Sequence, residues 1–324
     1  MAASVRVDDP LVGSLLAERY RVLGRIGEGG MGKVYEAQHV VLDKPVALKV
    51  LREDFSHRPE VVARFRQEAR AASRIGHPHI VDVSDFGVTQ AGAHFFVMEL
   101  LVGHDLAVEL EREGTLPTRR ALQIVLQCAE ALAAAHAKGI VHRDVKPENL
   151  FLVEHESGGD YVKLVDFGIA KILDAELASS TGKVAERKLT QTGVVFGTPE
   201  YMAPELALGQ SADHRVDAYA LGVILFELIA GRPPFLGDTF MGVLAQHAGD
   251  PIPTLAEVNP SCFAPPALEA LVVRALAKKP DDRHPSMAAF AEEVARLLET
   301  LTADPPRAAL PGTITHAPRV IEPS

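Results

Sequence analysis

A glycine-rich run near the start of the chain has the composition of a phosphate-binding loop. The run reads Gly27-Glu28-Gly29-Gly30-Met31-Gly32. Because glycine has no side chain, backbone N–H groups in such a run can approach phosphate oxygens closely. In dinucleotide-binding proteins this spacing opens a helix, whereas residues 33–37 alternate here like a strand. The pattern favours a hairpin that covers phosphates, and a plain glycine hairpin is the alternative.

A lysine on an apolar strand follows this run. Lys49 ends the sequence Val46-Ala47-Leu48-Lys49, where an unpaired ammonium group would be costly, so it requires an anionic partner. Glu68, on a predicted helix, is a suitable carboxylate. An ion pair between the two would direct the ammonium group toward the α- and β-phosphates of a nucleotide. Taken alone, Glu68 is more typical of a solvated helix surface.

Three motifs in a fixed order carry the strongest chemical signal. They are His142-Arg143-Asp144-Val145-Lys146-Pro147-Glu148-Asn149, Asp166-Phe167-Gly168 and Ala203-Pro204-Glu205. With them the chain resembles the eukaryotic-like, or Hanks-type, protein kinases, and it is most similar to their bacterial serine/threonine branch over residues 20–298. The resemblance implies an α+β, two-lobed protein kinase fold with a small antiparallel-sheet lobe and a larger, mainly helical lobe. It also implies transfer of the γ-phosphate of ATP to Ser/Thr hydroxyls of proteins.

The resemblance assigns roles in phosphoryl transfer, a reaction in which the protein mainly positions groups and neutralises charge. Asp144 would take the proton of the substrate hydroxyl. Lys146 would offset the charge of the γ-phosphate, and its position is typical of the serine/threonine subclass. Asn149 and Asp166 would hold Mg²⁺, or Mn²⁺ in its place, because hard oxygen ligands suit these ions.

The resemblance also assigns a nucleotide pocket, since adenine needs a flat apolar slot with a few backbone hydrogen bonds. Its members would be the glycine-rich run with Lys33 and Lys49, the side chains of Ile26, Val34, Ala47, Met98 and Phe151, and the backbone of Glu99 and Leu101. Taken alone, each of these apolar residues is more typical of an ordinary core position.

Other matched residues are implied to be structural. Glu205 and Arg283 would form a buried ion pair that fixes the large lobe, and Asp217 would brace the backbone around Arg143. An apolar stack between the lobes would consist of Phe167, His142, Val83 and Ala72. Ala72 is smaller than the Leu or Met common at its position, which leaves the tightness of that stack open.

The segment between the second and third motifs carries two candidate regulatory threonines, Thr190 and Thr192. Their position ahead of Gly197-Thr198-Pro199 resembles an autophosphorylated pair of bacterial relatives, and autophosphorylation would require transient self-association. A phosphate there would pair with Arg143 and order the segment. A polar, solvated loop is the alternative.

Composition restricts the class of protein. The 324 residues, 47% of them hydrophobic, can form two packed lobes, and a net charge of -10 argues against a general nucleic-acid or membrane-surface binder. The two cysteines, Cys128 and Cys262, fit reduced thiols of a cytosolic protein. We find neither a signal-peptide profile nor an apolar run of the roughly 18 residues that span a membrane. The sequence predicts a cytoplasmic protein without a membrane segment.

The order of the predicted elements, strands first and helices later, agrees with an α+β protein. Strands are predicted at residues 20–26, 33–39, 45–51, 80–86 and 94–99, and helices at 59–74, 118–138, 216–230, 267–277 and 287–301. We predict a flexible leader at residues 1–19, a kinase domain at 20–298 and a disordered Pro/Ala-rich tail at 299–324. Within the domain the small lobe would span 20–98, the hinge 99–103 and the large lobe 104–298.

Two other functions are compatible with this fold. A kinase-like scaffold that binds ATP without activity would have lost a catalytic element, but all are present: Lys49, Glu68, Asp144, Asn149 and Asp166. A small-molecule kinase is disfavoured by residues 197–205, which resemble a platform for protein substrates.

Overall fold

An antiparallel sheet of six strands, in the order β1-β2-β3-β4-β6-β5, forms the first lobe. The computed structural model describes residues 9–154, 158–167 and 198–301. The strands are β1 (Leu15–Leu16), β2 (Tyr20–Glu28), β3 (Gly32–His39), β4 (Lys44–Leu51), β5 (Val83–Val88) and β6 (His94–Glu99). Between β4 and β5 lie two helices, α1 (Glu53–Ser56) and α2 (Pro59–Ile75). Helix α2 begins at a proline, whose φ suits a first turn, and ends at Gly76 with φ 59°.

Both faces of the sheet of this lobe carry buried apolar side chains. Its upper face carries an apolar cluster made of Leu16, Tyr20, Val22, Tyr35, Ala37, Val46, Leu48, Val50, Phe95 and Val97. Its lower face packs on α2, where the rings of Phe65 and Phe96 lie 4.9 Å apart. Because side chains alternate along a strand, neighbouring residues such as Val34 and Tyr35 serve opposite faces.

The second lobe is mainly helical. Its elements are β7 (Gly103–Asp105), α3 (Leu106–Glu113), α4 (Thr118–Ala137), β8 (Leu150–Val153), β9 (Tyr161–Leu164), α5 (Pro204–Ala207), α6 (Arg215–Ala230), α7 (Phe240–Gly249), α8 (Leu255–Val258), α9 (Pro266–Ala275) and α10 (Met287–Thr300). Short 3₁₀ turns lie at Pro147–Asn149, Pro199–Tyr201 and Pro280–Asp282.

Helix α6 is the centre of this lobe. It is apolar on all sides, as expected of a helix surrounded by protein, and it packs against α4 and α9. Gly222 permits the contact with α9, because a Cβ there would lie 2.6 Å from the Cβ of Ala275. Helix α4 in turn packs on α10. In the described part of the chain, no helix is long and apolar enough to cross a membrane.

The boundaries of the lobes differ from the prediction in three places, one of which is the end of the large lobe, where α10 continues to Thr300 although the tail was predicted from residue 299. Residues 9–19, predicted as part of a flexible leader, belong to the small lobe, because β1 pairs with β2 and Leu16 joins the upper cluster. The hinge is shorter than predicted, since Gly103 begins β7, which pairs with β8. Gly103 has φ 147°, and a Cβ there would lie 2.0 Å from the carbonyl oxygen of Leu152, so this pairing requires glycine.

Candidate active site

The catalytic loop, residues 142–149, is held in place by a carboxylate of α6. Asp217 accepts hydrogen bonds from the backbone N–H groups of His142, at 2.9 Å, and Arg143, at 2.8 Å. His136 Nε2 lies 2.7 Å from Asp217 Oδ2. Burial alone would raise the pKa of Asp217, but these partners hold it below its ordinary value. The predicted brace is therefore present, and its carboxylate is ionised.

Two residues of the site have left-handed backbones. Arg143 has φ 63° and Asp166 has φ 54°, a conformation that few residues other than glycine adopt. At Arg143 the hydrogen bond to Asp217 fixes this conformation. A second bond closes the catalytic loop on itself, because Asn149 Nδ2 donates to the carbonyl oxygen of Asp144 at 2.7 Å.

An ammonium group lies between two carboxylates where the lobes meet. Lys49 Nζ, on β4, lies 2.8 Å from Glu68 Oε1, on α2, and 2.6 Å from Asp166 Oδ1, which follows β9. The lysine side chain is 12% exposed. Burial lowers the pKa of Lys49, but the charges of Asp166 and Glu68 outweigh burial and hold that pKa above its ordinary value. The ion pair predicted between Lys49 and Glu68 is present, and Asp166 joins it.

The glycine-rich run connects β2 and β3 as a hairpin, which confirms the hairpin interpretation over a helix-opening turn. Gly29 N–H donates to the carbonyl oxygen of Gly32 at 2.8 Å and closes the turn. A Cβ on Gly32 would lie 2.7 Å from the carbonyl oxygen of Val50, so β3 and β4 could not pair as they do with another residue there.

The predicted adenine-facing residues lie on the lower face of the sheet and on β8. Cross-strand partners share a face, which groups Val34 with Lys49, and Ala47 with Met98. Phe151 lies on β8, in the other lobe. Ile26, at a register irregularity of β2, is 52% exposed. The structure thus places Val34, Ala47 and Met98 on one face of the small-lobe sheet and Phe151 on a strand of the large lobe.

The side chain of Lys33 lies elsewhere. Lys33 and Tyr35 share the upper face with Val50, and the Lys33 ammonium is 3.2 Å from Asp9 Oδ2. The family resemblance implied that Lys33 lies in the nucleotide pocket. In the structure its backbone borders the glycine-rich run while its charge is directed to the N-terminal segment. The alternation of side chains along β3 indicates this orientation, because Lys33 lies two residues from the buried Tyr35 and therefore on the same face.

The hinge side of the cleft carries an ion pair that sequence reasoning did not find. Lys163 Nζ lies 2.6 Å from Glu99 Oε1, and the same oxygen accepts from the N–H of Asp82 at 2.8 Å. These bonds fix the side chain of Glu99, whose backbone was predicted to face adenine. Its partners lie 17 and 64 residues away along the chain, so no local pattern could identify them.

The comparison with known families agrees with this geometry: the protein kinase domain matches residues 20–295. The chain belongs to the protein kinase family. Serine/threonine-protein kinase pkn3 of Myxococcus xanthus is 46% identical over 286 residues, which are 88% of this chain and 51% of the relative. PknA of Mycobacterium tuberculosis is 41% identical over 290 residues, which are 88% of this chain and 63% of the relative. This kinase chain therefore spans about half of the first of these relatives and less than two thirds of the second.

Solved structures agree with the assignment. The crystal structure of the Mycobacterium tuberculosis PknI kinase domain superposes with a TM-score of 0.66 and 30% identity. The match covers 88% of this chain and 98% of that chain. The resemblance to bacterial serine/threonine kinases and the two-lobed α+β kinase fold, both predicted from the sequence, are confirmed.

Protein kinases use ATP and a divalent metal, and the donor atoms of this site fit such an ion. Asp166 offers a half-exposed carboxylate. The amide nitrogen of Asn149 donates to the Asp144 carbonyl oxygen, which leaves its Oδ1 available as an oxygen donor. The described residues contain no group of three or more His, Cys, Asp or Glu that could hold a metal alone. A small set of protein oxygens completed by phosphate oxygens is typical of Mg²⁺ in kinases.

The predicted structural ion pair of the kinase is also present. Arg283 NH1 and NH2 each lie 2.7 Å from one carboxylate oxygen of Glu205, a bidentate geometry. Both side chains are buried, and Arg283 Nε donates to the carbonyl oxygen of Ala277 at 2.8 Å. The pair fastens α5 to the segment that precedes α10.

The apolar stack between the kinase lobes has a gap at its small member. The rings of His142 and Phe167 lie 4.7 Å apart. Above them, a small cavity is lined by residues of α2, β5 and β6 and of the segments before β5 and after β9: Glu68, Ala72, Val81, Val83, Phe96, Met98, Asp166 and Phe167. The side chain of Ala72 does not fill this space.

A second cavity lies beside the catalytic loop. Residues of that loop and of the segment around α5 line it, among them Asp144, Lys146, Thr198, Tyr201, Met202 and Leu206. The Tyr201 hydroxyl donates to Glu227 Oε2 at 2.6 Å and so ties this segment to α6. Thr190 and Thr192 lie outside the described residues.

Proposed function

We propose that this chain is an active serine/threonine protein kinase domain that transfers the γ-phosphoryl group of ATP to hydroxyl groups of proteins. The observation that carries the proposal is the Lys49 ammonium held between Glu68 and Asp166, beside a catalytic loop braced by Asp217. The names of the bacterial relatives support the serine/threonine class.

Nucleotide binding would use residues of both lobes. Backbone N–H groups of the glycine-rich run would cover the phosphates, and Lys49 would bond to the α- and β-phosphates while Glu68 keeps it in place. Adenine would lie between Val34 and Ala47 on the small lobe and Phe151 on the large lobe, with the Glu99 carbonyl and the Leu101 N–H as its hydrogen-bond partners. Ile26 and Met98 would border the same slot.

Asn149 and Asp166 would hold the metal, for which we propose Mg²⁺, with Mn²⁺ as a substitute. Bound there, the ion would neutralise phosphate charge as it develops in the transition state. The left-handed backbone of Asp166 is consistent with such a role, because strained residues cluster at functional sites. Oxygen-only ligation favours these hard ions over metals that prefer nitrogen or sulfur.

Asp144 and Lys146 would act at the reacting atoms. As the substrate hydroxyl oxygen bonds to the γ-phosphorus, the bond from that phosphorus to the β,γ-bridging oxygen breaks and ADP leaves with the electron pair. The hydroxyl proton passes to the Asp144 carboxylate, and the Lys146 ammonium offsets charge on the transferred group. The cavity next to both residues is where a substrate segment would lie.

Regulation and location are further parts of the proposal. Phosphates on Thr190 and Thr192 would pair with Arg143 and order the segment that carries them, after transfer between two transiently associated copies. Protein substrates and ATP are the expected partners in the cytoplasm, where the two thiols would remain reduced.

The test is phosphate transfer from labelled ATP to a generic basic protein in the presence of Mg²⁺. We expect label on the basic protein from the wild-type chain and none from Asp166→Asn, which should melt within a few degrees of wild type. A scaffold would bind nucleotide and transfer nothing. Undiminished transfer by a folded Asp166→Asn protein would overturn the metal assignment.

A further inference from the structure

An N-terminal strap, residues 9–16, runs along the outer edge of β2. Gly13 N–H donates to the carbonyl oxygen of Val22 at 2.9 Å, Val22 N–H donates to that of Ser14 at 3.0 Å, and β1 pairs with the start of β2. The strap is antiparallel to β2, so its other end, Asp9, reaches the part of the β2–β3 hairpin that borders the glycine-rich run.

Asp9 bonds to β3 of this hairpin and lies at ion-pair distance from β2. Its Oδ2 accepts from the Tyr35 hydroxyl at 2.9 Å and lies 3.2 Å from Lys33 Nζ, both on β3. The same oxygen lies 4.0 Å from Arg25 NH1, on β2. Its Oδ1 accepts from the N–H of Leu11 at 3.2 Å, which fixes the carboxylate within the strap.

The environment of Asp9 is that of a structural anchor and not of a surface charge. The carboxylate is 8% exposed, and Tyr35 is 1% exposed. A buried hydroxyl needs a partner, and Asp9 supplies it. Burial alone would raise the pKa of Asp9, but the bonds from Leu11, Tyr35 and Lys33 hold it below its ordinary value, so the anchor is charged.

The hairpin needs such an anchor because its own pairing is irregular near the turn. The register of β2 against β3 shifts between Val22 and Gly24 and again between Arg25 and Gly27. Bulges of this kind bend a strand and remove ladder hydrogen bonds. The glycine-rich run that follows has few side chains with which to pack. Its position therefore depends on the residues at its base, which include Arg25, Lys33 and Tyr35.

We propose that Asp9 is a positioning residue for nucleotide phosphates, acting through both strands of the hairpin that carries the glycine-rich run. The inference rests on the proposed function for the identity of the ligand as ATP. It assigns a part in nucleotide binding to a segment that the sequence predicted to be a flexible leader.

The chain offers a matched control for this role. Asp85, on β5, accepts from the Tyr20 hydroxyl at 2.8 Å and pairs with Arg19 at 2.9 Å. This second Asp–Tyr–Arg group lies on the same sheet, at the end of β2 remote from the glycine-rich run. Asp9→Asn and Asp85→Asn each remove one charge from such a group, and only the first is at the hairpin base. Tyr35→Phe removes the hydroxyl partner of Asp9 and tests the same bond if Asp9→Asn folds poorly.

The experiment measures binding of two ligands by calorimetry at a temperature where thermal unfolding shows every variant to be folded. The ligands are the Mg²⁺ complex of a non-hydrolysable ATP analogue, and adenosine, which lacks phosphates. We expect Asp9→Asn and Tyr35→Phe to weaken binding of the analogue by about three- to tenfold, less than the full loss of a charge-assisted hydrogen bond. Adenosine binding should stay within about twofold of wild type for both variants, because only the phosphates contact the run.

Two further readouts separate positioning from stability. The double variant Asp9→Asn/Tyr35→Phe should bind the analogue with an affinity within about twofold of that of the single variant with the lower affinity. The reason is that the two side chains share one bond. In turnover assays, Asp9→Asn and Tyr35→Phe should raise the KM for ATP and leave the KM for the protein substrate unchanged. Asp85→Asn should change neither KM.

The outcomes are distinct. Equal weakening of analogue and adenosine, or equal effects of Asp9→Asn and Asp85→Asn, would overturn the positioning role. A wild-type chain that binds the analogue but transfers no phosphate would overturn the proposed function alone, because the binding measurements do not require turnover. A wild-type chain that does not bind the analogue would overturn both.

Discussion

Lys49 Nζ lies 2.6 Å from Asp166 Oδ1, so a side chain of the small lobe bonds directly to one of the large lobe. The same ammonium group bonds to Glu68 on α2. One cation thus joins β4, α2 and the segment after β9, next to the apolar stack in which Phe167 lies. A shift of α2, or a separation of the lobes, would break at least one of these two bonds.

Replacing Lys49 with methionine should therefore disable the site without unfolding the chain. We expect phosphoryl transfer to fall about 10²-fold or more, because reactant positioning can supply that much of the rate. Lys44→Met is the matched control, since Lys44 is an exposed lysine at the start of the same strand. It should keep wild-type activity. Transfer by Lys49→Met within a few-fold of wild type would mean that another cation orients the phosphates.

The buried pair of Glu205 and Arg283 should control stability and not chemistry. Arg283→Met leaves a buried carboxylate without its partner, which should cost about 3–5 kcal/mol of unfolding free energy. Denaturant unfolding would measure it. Arg215→Met, which removes an arginine paired with the exposed carboxylates of Asp213 and Asp281, should cost less than about 1 kcal/mol.

A double variant tests the cause of that loss. Glu205→Gln combined with Arg283→Met removes both charges and should recover at least about 1 kcal/mol relative to Arg283→Met alone. A double variant as unstable as the single one would show that lost packing of Arg283, and not the unpaired carboxylate, accounts for the effect.

His247 should make the large lobe sensitive to acid. Its Nδ1 lies 2.7 Å from the Tyr219 hydroxyl, and burial, followed by the charge of Lys278, lowers its pKa to about 4. Below the ordinary histidine value of about 6.5 the unfolded chain binds a proton that the folded chain does not. The contribution of neutral His247 to the unfolding free energy is therefore fully present above about pH 6.5. It declines as the pH falls toward 4, by up to about 3 kcal/mol.

Unfolding free energies of wild type and His247→Gln between pH 7 and pH 4 would check this prediction. In His247→Gln the unfolding free energy should depend less steeply on pH than in wild type. His57→Gln, at an exposed position, should keep the wild-type dependence. An unchanged slope in His247→Gln would assign the acid sensitivity to other groups.

Regulation by Thr190 and Thr192 stays a prediction from the sequence. The double variant Thr190→Ala/Thr192→Ala should be slow toward an added protein substrate, because no phosphate can pair with Arg143. Ser179→Ala/Ser180→Ala is the control, since it removes two hydroxyl groups from the same segment and keeps Thr190 and Thr192. Equal rates for the double-alanine variant and the fully phosphorylated kinase would refute control by this segment and leave the kinase assignment intact.

Local patterns predicted the parts of the site that depend on spacing. Strand alternation and the apolar setting of Lys49 indicated its need for a carboxylate, and the motifs identified Asp144, Asn149 and Asp166 by resemblance. The family match and the fold confirm the class of protein, while the roles of individual residues remain proposals. The helix that carries Glu68 was located to within one residue at its end, because a proline and an Ala/Glu/Arg-rich composition mark it.

Contacts between distant segments could not be predicted. Asp9 meets Lys33 and Tyr35 only because the strap follows β2, a path that no short-range pattern encodes. The position of the first residues at the end of the chain predicted a mobile leader. Burial of Leu16 against the sheet was the physical effect that outweighed it.

The most direct test of the account is phosphosite mapping and labelled-ATP transfer for wild type and Asp144→Asn, both purified in the same way. Asp144 lies in a loop held by Asp217 and Asn149, so the substitution should leave the melting temperature nearly unchanged. We predict phosphate on the wild-type chain and on an added protein substrate, and none on either with Asp144→Asn, although that variant should still bind nucleotide. Phosphate transfer by folded Asp144→Asn at the wild-type rate would contradict the assignment of Asp144 as the group that takes the proton.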